Sequence, residues 1–202
     1  EKCLNEAYKL GKIIGDKRAI ATVSTNLGNL LTIKREFEAA IDYQKKSYEI
    51  FKELGHTIGI ATSLLNIGFL YTEKRCFAVS IQYFEESLTY LKNNNLGKTM
   101  RYATPLLNLG EAYIHIGDYE KAMQISREAK ALAESLHKNS LVVAYAENNI
   151  GLIHMKRENY ANALPCFQNA IRLAERLGAD EYQAFFLVNK IKLLFKMKEY
   201  RK

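Results

Sequence analysis

One asparagine register runs through the whole chain. Asn26, Asn66, Asn108, Asn149 and Asn189 follow one another at intervals of 40, 42, 41 and 40 residues. An amide side chain carries both hydrogen-bond donors and an acceptor. Inside a helix it competes with the backbone for those bonds, so a helix gains little from it. Five recurrences at one position therefore call for a task outside the helix. Two tasks fit. The amides can form a ladder that pairs with the N–H and C=O groups of an extended peptide without reading its side chains. Alternatively each amide can bond the backbone of a neighbouring repeat and lock the stacking.

The neighbours on the same helical stripe, in steps of four, three and four residues, suit the first task. They are Thr22, Asn29 and Ile33; Thr62, Phe69 and Glu73; Thr104, Glu111 and His115; Tyr145, Leu152 and Lys156; Phe185, Lys192 and Lys196. Phe69, Leu152, Tyr145 and Phe185 offer apolar pockets. Lys156, Lys192 and Lys196 suit acidic side chains, and Glu73 and Glu111 suit basic ones.

Catalytic chemistry finds little support. The chain has no phosphate-cradling glycine run, no His-Glu-x-x-His, no paired cysteines and no nucleophile elbow. Of the four histidines (His56, His115, His137, His154), His115 stands four residues from Glu111, which gives half a metal site at most. The expectation is a protein that is not an enzyme and uses no cofactor or metal. Cys3, Cys76 and Cys166 are odd in number and far apart, which predicts reduced thiols and a cytoplasmic location. Cys76 and Cys166 fall in helical patterns and read as buried fillers.

The formal net charge of +7 is spread evenly, with fifteen basic and eleven acidic residues in 1–101 and fourteen and eleven in 102–202. A nucleic-acid partner would call for one basic face or tail, so it is disfavoured. The one local excess is Lys190, Lys192, Lys196, Lys198, Arg201 and Lys202 against Glu199. No apolar window reaches membrane-spanning length, so no membrane contact is expected. Glu1-Lys2-Cys3-Leu4-Asn5 lacks the basic-then-apolar build of a signal peptide.

The elements that hold this register are helices. An aromatic follows each asparagine by eleven residues (Phe37, Phe77, Tyr119, Tyr160, Tyr200). A fixed period near forty marks a repeat array whose units bury their apolar faces only against neighbours. Apolar spacing predicts a helix over 1–14, first helices over 17–33, 57–74, 98–116, 140–156 and 180–197, and second helices over 36–54, 77–94, 119–137 and 160–177. Leu54-Gly55, Asn93-Asn94-Asn95-Leu96-Gly97, Gly117-Asp118 and Leu177-Gly178 are stop signals. Pro165 is expected to delay or bend its helix, and Glu147 occupies a packed position. The stripe of Ala21, Ala61, Ala103, Ala144 and Ala184 beside the glycines is expected to be buried. The whole of 1–202 reads as one all-α array of about ten helices. It opens on a second helix and ends where another second helix should begin, at Met197-Lys198-Glu199-Tyr200, as an excised segment of a longer protein would.

The pattern resembles the tetratricopeptide repeat. Gly28, Gly68, Gly110 and Gly151 match the small residue that lets paired helices approach. Leu27, Ile67, Leu109 and Ile150 precede them, Tyr71 and Tyr113 follow by three, and Ala40, Ser80, Ala122 and Ala163 match the small residue of the second helix. The period exceeds the family's common length of about 34, the usual proline at the repeat end is absent, and the fifth copy has Lys190 and Ile191 at the apolar and glycine positions. The resemblance implies a right-handed α-solenoid of stacked helix-turn-helix repeats, with first helices lining a concave surface. Repeats of this length with an asparagine column look like those of kinesin light chains, spindle-orientation adaptors and bacterial peptide-sensing receptors. It implies a scaffold that holds an extended peptide or flexible protein segment in its groove. The alternative is a spacer, dimerisation or sensor element of a multidomain signalling protein, with self-association through open terminal helices.

Overall fold

A computed structural model describes residues 2–200, with side chains through residue 198. Among the described residues every regular element is a helix, and the fold is all-α, built from helix-turn-helix repeats. The chain divides into two compact units, 1–97 and 98–202.

The N-terminal unit holds α1 (Lys2–Ile14), α2 (Lys17–Ile33), α3 (Phe37–Glu53), α4 (Thr57–Glu73) and α5 (Phe77–Asn93). Caps set several of these limits. The Asp16 carboxylate accepts the Ala19 N–H at 3.0 Å, and His56 Nδ1 accepts the Gly59 N–H at 3.0 Å, each satisfying an otherwise orphaned donor of the first turn. Gly15, Gly55, Arg35, Arg75 and Asn95 end helices in the left-handed region. That conformation lets the next N–H reach back five residues, as in His56 N–H to the Phe51 carbonyl at 2.9 Å. One core cluster joins Ala21, Phe51, Ile60 and Leu64, and another joins Leu31, Ala40, Ile41 and Leu70.

The C-terminal unit holds α6 (Met100–Ile116), α7 (Tyr119–Leu136), α8 (Leu141–Lys156), α9 (Tyr160–Arg176) and α10 (Asp180–Tyr200). Asp118 and Ser140 cap α7 and α8 through the Lys121 and Val143 N–H groups. Its cores gather Ala144, Ala170, Ala174 and Phe186, and Met155, Ala163, Phe167 and Leu193.

The glycine register explains the pairing within each repeat. A Cβ on Gly28, Gly68, Gly110 or Gly151 would lie 2.6, 2.5, 2.9 or 2.9 Å from Gln44, Phe84, Ser126 or Phe167. Each of those residues stands sixteen positions later, on the second helix of the same repeat. No real Cβ tolerates such distances, so the helices meet where the side chain is missing.

Several expectations change. Cys76 is exposed and is not inside a helix: it is the residue before α5, at the cap position held by Glu36, Asp118 and Asn159 in the other repeats. A cap residue faces solvent because its backbone has already left the helix. Cys166 is half-buried rather than core, and burial, then the neighbouring Glu147, pushes its thiol up to about 11. Pro165 does not delay α9, which starts at Tyr160. The carbonyl that its missing N–H would have bonded belongs to exposed Ala161, where water can reach it. Ala184 is exposed, whereas Ala21, Ala61, Ala103 and Ala144 are buried, because α10 turns this face outward. α10 also runs through the turn expected at 197–199. Its position 198 stays helical where the equivalent Glu158 takes a φ of 59°. The Tyr200 side chain, Arg201 and Lys202 lie outside the described residues.

Candidate binding face

In the N-terminal unit the asparagine register lies on α2 and α4. Asn26 is exposed, Asn66 is half-buried, and Asn66 Nδ2 donates to Asn29 Oδ1 at 3.3 Å. Asn29 is itself exposed and accepts a second bond from Gln44 Nε2 at 3.0 Å. The amides of α2, α3 and α4 thus form one chain. Phe69 stands beside it, 43% exposed.

In the C-terminal unit the register divides by depth. Asn108 on α6 is half-buried. Asn149 is buried, and its Nδ2 donates to the Leu107 carbonyl of α6 at 3.2 Å. Asn189 is buried, and its Nδ2 donates to Asn148 Oδ1 of α8 at 2.9 Å. Both bonds link first helices of successive repeats. A buried amide needs such a partner, because an unmet one costs about 1–3 kcal/mol. Asn148, fully buried beside Asn149, did not stand out in the repeat pattern. The doubled Asn148-Asn149 inside a helix was its only signal.

Part of the stripe, Glu111 and Phe185, meets at Tyr145. Its ring centroid lies 5.5 Å from Tyr182, 6.1 Å from Phe185 and 5.3 Å from Phe186. These separations suit edge-to-face and tilted aromatic contacts. Burial, then the Tyr182 and Glu111 charges, pushes the Tyr145 hydroxyl up to about 12, so it stays protonated at neutral pH. The influence of Glu111 brings α6 to the same place as α8 and α10. Glu111 and Leu152 are half-buried, and Phe185 and Lys156 are exposed. The result is a mixed surface with an aromatic centre and an acidic group at one side; Leu152 packs instead against the core of Met155, Phe167 and Leu193, and Lys156 stands eleven residues along α8 from Tyr145.

Two further polar sites on α8 face other helices. Lys130 Nζ of α7 meets Glu147 Oε1 of α8 at 2.8 Å, which explains how a carboxylate sits at a packed position. His154, at the register of Tyr71 and Tyr113, is half-buried; burial, then Arg127 and Arg157, lowers its pKa. Glu111 and His115 stand 3.9 Å apart, and among the described residues no third His, Cys, Asp or Glu joins them in a metal-holding group. Among those residues no helix is long and apolar enough to cross a membrane.

Two family models, each described as tetratricopeptide repeat, match residues 59–135 and 144–177, together more than half the chain. The chain belongs to the tetratricopeptide-repeat family. Solved structures of this long-repeat type share its fold. BtubC (BKLC) from P. vanneervenii superposes with a TM-score of 0.73 at 16% identity, over 96% of this chain and 88% of that one. The apo form of RapI gives 0.81 at 17% identity, over 98% and 74%. A Rap protein complexed with Competence and Sporulation Factor gives 0.78 at 18% identity, over 92% of this chain and half of that one. No curated protein matches the sequence.

Proposed function

We propose that this tetratricopeptide-repeat protein is a non-enzymatic scaffold that holds an extended peptide or flexible protein segment against its first helices. The observation that carries the reading is the surface where Glu111, Tyr145 and Phe185 come together from three successive first helices. Aromatic anchors flanked by sparse polar groups are what a peptide side chain needs for burial with orientation. A Rap protein of the same fold is complexed with Competence and Sporulation Factor, which supports ligand holding by this architecture.

In this reading the asparagines share two duties. Asn149 and Asn189, buried and bonded to neighbouring helices, keep successive first helices in register. Asn26, Asn29, Asn66 and Asn108, exposed or half-buried, offer amide groups to a peptide backbone. The three free cysteines, two of them exposed, fit a reducing compartment, and we place the protein in the cytoplasm.

Peptides selected from a random display library provide the probe, with affinity read by fluorescence anisotropy and stability by melting temperature. Asn108→Ala is expected to weaken binding about tenfold, some 1.4 kcal/mol, with little change in melting temperature. Asn149→Ala is expected to lower the melting temperature. Unchanged affinity together with a marked stability loss in Asn66→Ala/Asn108→Ala would assign the whole column to stacking and remove the peptide ladder.

A further inference from the structure

α10 differs from every other first helix in this protein. In α2, α4, α6 and α8 the face bearing Gly28, Gly68, Gly110 and Gly151 lies against a second helix. On α10 that register is Ile191, 50% exposed. A side chain there forbids the close approach that the four glycines allow, so this face does not accept a second helix at the repeat's spacing. It is nonetheless apolar. Leu187, Val188, Ile191, Leu194 and Phe195 are all exposed, Phe195 to 67%. The opposite side of α10 already packs inward through Phe186, Asn189 and Leu193.

The exposed stripe has a particular spacing. Asp180, Ala184, Leu187, Ile191, Leu194 and Lys198 follow at steps of four, three, four, three and four residues, all exposed. This is the seam that lets two helices pack along their length at an interaxial distance of about 8–10 Å. The stripe is also symmetric about position 189. Turned end for end onto itself, it places Leu187 on Ile191, Ala184 on Leu194 and Asp180 on Lys198. Charge selects that orientation. The first turn of α10 carries Asp180 and Glu181, and the second half carries Lys190, Lys192, Lys196 and Lys198 against Glu199. Antiparallel pairing sets acidic ends against basic ends, whereas parallel pairing sets like against like.

We propose that α10 is a homodimerisation helix, pairing antiparallel with α10 of a second copy through Leu187, Ile191 and Leu194, with Asp180 of each copy meeting Lys198 of the other. Such a contact is isologous and closes on itself, so it yields dimers and not filaments. The peptide surface around Tyr145 is not part of it, and either reading can fail alone.

The test is sedimentation of the 202-residue chain across micromolar to submillimolar loading. The expected result is a monomer–dimer equilibrium. Ile191→Glu/Leu194→Glu, both at exposed positions, is expected to be monomeric at every concentration, with unchanged helical circular dichroism and melting temperature. Asp180→Lys is expected to weaken the dimer about tenfold, and Asp180→Lys/Lys198→Asp to restore it, because the swapped charges again face their opposites. A wild-type chain that is monomeric throughout, a dimer that survives Ile191→Glu/Leu194→Glu, or charge reversals that leave association unchanged would each overturn the proposal.

Discussion

In the N-terminal unit the Ser47 and Ser87 hydroxyls donate to the Ala21 and Ala61 carbonyls at 3.0 and 2.9 Å. In the C-terminal unit the same register holds Ala129 and Ala170, with Ala103 and Ala144 at the register of the accepting residues, all fully buried. Serine and alanine are nearly equal in size, and a helical carbonyl keeps a second lone pair after its own helix has used the first. The repeat period therefore specifies the volume available at a seam and leaves its polarity open. Ser47 goes further. Its Oγ lies 2.7 Å from Thr25 Oγ1 and accepts from Ser63 Oγ at 3.2 Å, so a hydroxyl cluster ties α2, α3 and α4 together. The C-terminal unit packs methyl groups at that register instead, with Ala144 and Ala170 in one core cluster. Its buried polar links are displaced to the Asn149 and Asn189 bonds between first helices.

The largest expected effect tests the feature that both units share. Gly68→Ala puts a Cβ 2.5 Å from the buried Phe84 ring, which should cost about 3 kcal/mol in urea unfolding. Gly110→Ala meets the Ser126 hydroxyl at 2.9 Å, a small group that can rotate, and should cost about 1 kcal/mol. Equal losses would show that ring contact is not what sets the spacing.

Next come the hydroxyls. Ser47→Ala strands the buried Ser63 hydroxyl as well as losing its own bond, while Thr25 keeps the Ala21 carbonyl, and is expected to cost about 2 kcal/mol. Ser87→Ala loses one bond to a carbonyl that keeps its helical partner, and should cost about 1 kcal/mol. Thermal denaturation of the two variants side by side measures the difference; indistinguishable values would dissolve the cluster into independent contacts.

The turns offer a smaller contrast. Gly117 takes a φ of 84° in the C-terminal unit, while Arg75 takes 60° at the same register in the N-terminal unit. Left-handed backbone costs a residue with a Cβ about 1–2 kcal/mol, and glycine's extra freedom when unfolded returns roughly 0.5–1. Gly117→Ala should therefore destabilise by about 1 kcal/mol, and Arg75→Gly should stabilise by about 0.5 kcal/mol. A destabilised Arg75→Gly would mean that the arginine side chain contributes more than its strained backbone loses.

The smallest effect is in pH dependence. The lowered pKa of His154 means that the unfolded chain takes up its proton more readily than the folded one. Stability from this group is present above the ordinary imidazole range and is lost as pH falls through it. His154→Gln should flatten the melting temperature over that acidic interval and leave it unchanged at alkaline pH. A wild-type profile already flat there would remove the effect of burial on His154 together with that of Arg127 and Arg157.

Helix limits were legible to within one or two residues in most cases. The expected 57–74 is Thr57–Glu73, and the expected 119–137 is Tyr119–Leu136. Apolar period and cap residues are local signals, and they suffice for local structure. Cys76 was misplaced because an apolar residue at a cap position looks like the first residue of a helix. Pro165 was overrated because its cost depends on whether water reaches one carbonyl. The asparagine register was visible, but Asn149 and Asn26 looked equivalent in sequence and differ from buried to exposed.

The repeat, the helix order and the four places where helices must meet without a side chain were all written in local spacing. Those follow from spacing, which the 3.6-residue turn converts directly into faces. What each face meets was settled by packing. Depth, hydrogen-bond partners and the outward turn of Ile191 depend on residues forty positions away, and the approach of one helix to the next is set by all the side chains between them.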